Sequence, residues 1–139
     1  MDKWPGFIKD HFTADVPFFR FLDATVADAA RGRASLRLPM RPEYANSYSI
    51  VHGGLVTALV DMAAGVAART LKVRVVTVET VIHIFLPTGV DDELTAEASL
   101  LHAGRKLIHA EVQVTNREGD LVAKGGSTLY VTGEDTGVY

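Results

Sequence analysis

The chain of 139 residues contains no cysteine. That absence excludes a disulfide framework, a thiol nucleophile and a thiolate metal site. It also lacks an excess of charge of either sign. Fourteen Lys and Arg stand against seventeen Asp and Glu, a formal net charge of −3. Such a balance offers no basic face for nucleic acid or an anionic membrane. Aromatics are sparse at 8% and decide nothing about a ligand. No long hydrophobic span exists either. The apolar run Leu55–Ala68 falls short of the roughly 20 residues a bilayer requires and is interrupted by Asp61. The start, Met1-Asp2-Lys3-Trp4-Pro5-Gly6, has no apolar stretch and cleavage pattern of a secretory signal. These features fit a cytoplasmic protein. Several motifs are missing as well. Gly125-Gly126-Ser127 lies within a strand pattern rather than a G-x-S-x-G elbow, and there is no P-loop or G-x-G-x-x-G.

The composition that remains is that of one globular domain, 47% hydrophobic and 22% charged, spanning residues 1–139. It is large enough to bury a core unaided. No linker, repeat or low-complexity tract divides it. Residues 1–17 read as an N-terminal helical segment, with Phe7–Phe12 amphipathic and Val16-Pro17 as its stop. Arg20–Ala29 reads as a first strand. Arg33–Leu38 alternates strictly, as a half-buried strand does. A helix from about Gly53 to Leu71 follows. Four more strands are expected at Val73–Leu86, Leu94–Leu101, Leu107–Thr115 and Leu121–Val131. Asn116–Asp120 forms a hairpin turn, and Gly133–Tyr139 is a frayed tail.

Short connections between consecutive strands imply antiparallel pairing. A helix apolar on all sides must be covered on all sides. The expected fold is therefore α+β: an antiparallel sheet of five to six strands wrapped around one long central helix, in a dimer that covers what the sheet leaves bare.

The central helix carries the chemistry. From Gly54 to Arg69 its only ionisable group before the terminal arginine is Asp61. Burial of a lone carboxylate is costly unless it is hydrogen-bonded or paired, which makes Asp61 a candidate for function. Gly53, Thr57, Asp61 and Gly65 recur every four residues and form one stripe. The stripe is either one wall of a substrate groove or a self-satisfied polar pair with a glycine for close packing. Gly53 and Gly54 stand where the first helical N–H groups lack partners, a ready site for developing negative charge or simply a tight turn. His52 at the helix start serves as a cap or as a hydrogen-bond donor, and Asn46 can position water or a carbonyl. The other histidines, His11, His83, His102 and His109, lack metal-ligand spacing, and no metal is expected. Arg105 and Lys106 form a small basic pair that grips phosphate or merely edges a turn.

The element order, together with Asn46, His52-Gly53-Gly54 and Asp61, resembles the hotdog-fold acyl-CoA thioesterases. The likeness is strongest to the PaaI-type branch of phenylacetic acid degradation. It covers about Phe18 to Val131, and Val76–Glu79, Phe85–Pro87, Gly104–Lys106, Glu111-Val112 and Ala123–Gly125 resemble the family's later strands. The resemblance implies hydrolysis of a small aromatic (phenylacetyl- or hydroxybenzoyl-like) or medium-chain acyl-CoA, with no cofactor beyond the coenzyme A of the substrate. It implies an oxyanion hole at the Gly53 N–H and Asp61 as nucleophile or general base. Asn46 would orient the carbonyl or water, His52 would support the loop, and Thr77 would place the water. On the groove reading of the helix, Gly54, Thr57 and Gly65 contact substrate, and the resemblance makes Arg105 and Lys106 contacts for the CoA phosphates. The site would lie between subunits of a homodimer that assembles to a homotetramer. Two other outcomes are a hotdog enoyl-CoA hydratase and a non-catalytic acyl-CoA-binding protein.

Overall fold

The computed structural model describes residues 2–137. Helix α1 (Trp4–Ala14) and the short α2 (Pro17–Leu22) precede β1 (Thr25–Ala30) and β2 (Arg33–Pro39). A 3-10 turn at Pro42–Tyr44 leads to the long helix α3 (Gly53–Arg69). Then come β3 (Val73–Ile84), β4 (Glu93–Ala103), β5 (Leu107–Thr115) and β6 (Leu121–Glu134). All pairings are antiparallel, in one six-stranded sheet of order β1-β2-β4-β5-β6-β3. The expected architecture, a sheet curled on a central helix, is the one observed.

The alternation read from the sequence sets the inner face. Ala34, Leu36 and Leu38 on β2, Leu94, Ala96 and Ala98 on β4, and Ile108, Ala110, Val112 and Val114 on β5 are all buried. They pack on Val56, Leu59, Val60, Ala63, Ala64 and Ala67 of α3. Each large side chain so removed from water contributes roughly 1.5–3 kcal/mol. The many alanines let the sheet close on the helix.

Two expectations are corrected. Arg20–Ala29 is not one strand, because α2 occupies Pro17–Leu22. Pro17 opens that helix with a preset φ, Phe19 and Leu22 bury at helical spacing, and Asp23 ends it in the left-handed region at φ 60°. The tail is also not frayed from Gly133. Strand β6 runs to Glu134, and buried Asp135 pairs with Arg69 at 2.7 Å. The Asp135 N–H also donates to the Lys72 carbonyl. The end of the tail, residues 138–139, lies outside the described residues.

Tyr44 fixes the approach to α3. Its buried hydroxyl donates to the Leu22 carbonyl at 2.9 Å, and the Arg41 guanidinium lies 4.7 Å from its ring centre. Burial pushes the phenol above its ordinary pKa of 10.0 and keeps it a donor, with Arg41 opposing in part.

Candidate active site

Helix α3 begins at His52, whose Nδ1 accepts the Gly54 N–H at 2.9 Å. An unprotonated Nδ1 is required for this cap. Of the two readings of His52, the structure shows the cap. The same bond occupies the Gly54 N–H, so Gly54 is not an open donor. The Gly53 N–H has no partner among the described residues and stands at the positive end of the helix.

Asn46 builds the loop that delivers His52. Its Oδ1 accepts from the Tyr48 N–H at 2.8 Å and the Ile50 N–H at 3.3 Å. Its own N–H donates to the Ile50 carbonyl, and Ser49 takes a φ of 64° to close the turn. The carboxamide oxygen is thus engaged in the loop.

Two turns into α3, Asp61 faces β3. Its Oδ1 accepts from Thr77 Oγ1 at 2.7 Å, Thr80 Oγ1 at 3.2 Å and lies 3.4 Å from Ser127 Oγ. The contact with Thr77 brings together two residues singled out in the sequence. Thr80 and Ser127 had no signal there. Thr80 is three residues from Thr77, and strict alternation puts such a pair on opposite faces. A bulge between Thr77 and Glu79 breaks the alternation and turns both hydroxyls toward the helix. Ser127 follows two glycines in β6. A Cβ on Gly125 would collide with the Val81 carbonyl, and one on Gly126 with the Ala110 carbonyl. The two glycines therefore serve strand packing.

The expectation of a buried Asp61 is corrected: the side is half-buried in a single chain. Gly53, Thr57 and Gly65 share that condition, so the stripe is the side of α3 the sheet leaves uncovered. Thr57 donates back to the Gly53 carbonyl at 2.9 Å and does not reach Asp61. A Cβ on Gly65 would meet nothing within 4 Å, so no packing among the described residues demands this glycine. Arg105 and Lys106 are exposed in the β4–β5 turn, without an ion-pair partner among the described residues. The Lys106 carbonyl holds Val131, which places the turn where β3 begins. No group of three His, Cys, Asp or Glu among the described residues could hold a metal ion.

One distance limits what Gly53 and Asp61 of one chain can do together. Eight residues separate Gly53 from Asp61, about 12 Å along a helix at 1.5 Å per residue. Reacting groups must approach within about 3–3.5 Å of one carbonyl. The Gly53 N–H and Asp61 of one chain cannot serve the same thioester.

Residues 48–123, from the loop before α3 into β6, match the sequence profile of the thioesterase superfamily. The chain belongs to that superfamily, has its hotdog fold, and is by class a thioester hydrolase. Among relatives, the medium/long-chain acyl-CoA thioesterase YigI of Escherichia coli is 26% identical, over 89% of this chain and 91% of that protein. The E. coli PaaI protein of the phenylacetic acid degradation operon superposes with a TM-score of 0.88 at 19% identity, over 95% of this chain and 98% of that one. A hypothetical thioesterase of Streptococcus pneumoniae solved with coenzyme A reaches a TM-score of 0.79 at 27% identity, over 81% and 88% of the two chains. That protein has also been solved with an Asp→Ala and a Thr→Ala substitution sixteen positions apart, the separation of Asp61 and Thr77. No helix among the described residues is long and apolar enough to cross a membrane.

Proposed function

We propose that this protein hydrolyses acyl-CoA thioesters at a site shared by two copies of the chain. The observation that carries the reading is the placement of Asp61: a hydroxyl-bound carboxylate on the uncovered side of α3, beside a bare sheet edge, about 12 Å from the open Gly53 N–H of its own chain. A two-fold partner supplies the missing half. Asp61 of one subunit then works opposite the partner subunit's Gly53.

The chemistry follows from these two groups. The Gly53 N–H, at the helix N-terminus, stabilises the oxyanion as the carbonyl π electrons move onto oxygen. Asp61 either attacks the carbonyl carbon itself or takes a proton from a water that does. Collapse of the tetrahedral species breaks the C–S bond, and the CoA thiolate leaves and is protonated. In the first route a water then cleaves the acyl–Asp61 anhydride and releases the free acid. Thr77 steadies the carboxylate. Asn46 and His52 support the loop, their observed bonds being to its backbone and to the helix start. Gly65 leaves room for substrate or partner beside the helix, and Arg105 and Lys106 are free to meet CoA phosphates. The acyl group is a small aromatic or medium-chain one, a reading supported by the names of the PaaI and YigI relatives. A cytoplasmic location and assembly of dimers into a tetramer belong to the same reading.

The test is hydrolysis of a panel of aliphatic and aryl acyl-CoAs by wild type and Asp61→Asn. Loss of about 10²–10⁴-fold in kcat with an intact fold is expected. Equal turnover in both proteins would remove Asp61 from the chemistry. Tight acyl-CoA binding without turnover in either would mark a binding protein, and water addition to crotonyl-CoA without thioester cleavage a hydratase.

A further inference from the structure

Ser127 is fully buried on the inner face of β6, among positions otherwise filled by Ala123, Gly125 and Leu129. A buried hydroxyl on such a face carries a desolvation cost unless it is hydrogen-bonded. Its oxygen lies 2.8 Å from Thr80 Oγ1 and 3.4 Å from Asp61 Oδ1. Each hydroxyl has one proton to give. Thr80 is placed to donate to Asp61 at 3.2 Å and Ser127 to the same oxygen at 3.4 Å, while in the 2.8 Å contact between the two hydroxyls either one can be the donor. The result is a linked chain of Ser127, Thr80 and Asp61, joined at the same oxygen by Thr77. Asp61 Oδ1 is thereby saturated, whereas Oδ2 accepts no hydrogen bond among the described residues.

We infer that Thr80 and Ser127 are positioning residues that hold Asp61 by Oδ1 alone and so present Oδ2 to the thioester or the attacking water. The inference rests on the proposed role of Asp61 and extends it to the identity of the working oxygen. Three features of the sequence that have no use in a plain strand serve this one arrangement. The bulge at Val78 puts Thr80 on the same face as Thr77. Gly125 lets β3 close on β6, which brings Thr80 within reach of Ser127. Ser127 anchors the chain from the dry interior, where water cannot compete for Thr80. A carboxylate free to rotate about χ2 would present either oxygen; one fixed by hydroxyls from two strands presents a single lone-pair set at a defined angle, the preorganisation that a reaction at one carbonyl demands.

The experiment compares Ser127→Ala, Thr80→Val and Thr80→Ser, each alone and the first also combined with Asp61→Asn. Steady-state hydrolysis is followed on the best acyl-CoA of the panel. Circular dichroism and melting midpoints confirm the fold; Thr80→Val conserves shape and guards against collapse of the site. Ser127→Ala and Thr80→Val should each lower kcat about tenfold, close to 1.4 kcal/mol in barrier, with KM within about twofold. Thr80→Ser should retain most of the rate, because it keeps the hydroxyl. In the Asp61→Asn background Ser127→Ala should have no further effect, since its influence runs through the carboxylate. Unchanged kcat in Ser127→Ala, a loss confined to KM, or the same loss with and without Asp61 would overturn the positioning role while leaving Asp61 in place. Wild-type turnover by Asp61→Asn would instead overturn the reading of Asp61 itself, and the positioning role with it.

Discussion

The two edges of the sheet are built on opposite plans. Strand β1 is six residues long, bulged between Val26 and Asp28, and overlaid by α1, whose Ile8 is fully buried. Short length, a bulge and a covering element are the usual ways to keep an edge from pairing with another chain. Strand β3 is twelve residues long and leaves Val76 at 55%, Val78 at 61% and Val81 at 48% exposure, with Ile84 and Phe85 exposed beyond them. By the same reasoning an edge this long and apolar is little protected against pairing. It also borders the uncovered stripe of α3 that carries Asp61. One edge is closed off, and the other is left open beside Asp61, where the proposed second copy would sit.

The contrast can be broken most forcefully at β3. Lysines at Val76 and Val78 together should convert dimer to monomer in sedimentation analysis and lower thioester hydrolysis by on the order of 100-fold or more, as loss of an oxyanion donor does. Retained activity in a proven monomer would refute a shared site. At the other edge, Ile8→Ala should cost about 2–5 kcal/mol of stability by urea denaturation, because α1 then covers β1 less well, yet the dimer should persist. Tyr44→Phe should cost about 1 kcal/mol, since it removes the buried bond to the Leu22 carbonyl. His52→Ala should cost a similar ~1 kcal/mol through the lost helix cap, with only a modest fall in kcat. The smallest effect is expected for Thr25→Lys on exposed β1, within about 0.5 kcal/mol and without change in assembly; dissociation by that variant would erase the distinction between the edges.

The strands with alternating residues were legible because a half-buried strand repeats every two residues. Strand β5 begins and ends at Leu107 and Thr115 as the alternation predicts. The segment Arg20–Ala29 misled because it joins the end of α2 to the start of β1, and the proline that opens α2, Pro17, lies before it. At the site, Asp61 stood out as one carboxylate in an apolar helix, and His52-Gly53 as its N-terminus. Thr80 and Ser127 were invisible, because a bulge changes which face a residue takes without altering residue type.

The sequence by itself determined the class of fold, the central helix, its cap and the single carboxylate within its apolar run, since each follows from local periodicity or from an ionisable group out of place. Only the tertiary structure decided that Asp61 is half-buried rather than enclosed, that three hydroxyls from β3 and β6 gather at one of its oxygens, and that the Gly53 N–H of the same chain is out of reach. Those are relations between elements distant in sequence, fixed by strand register and by the side of the helix that a curled sheet cannot cover.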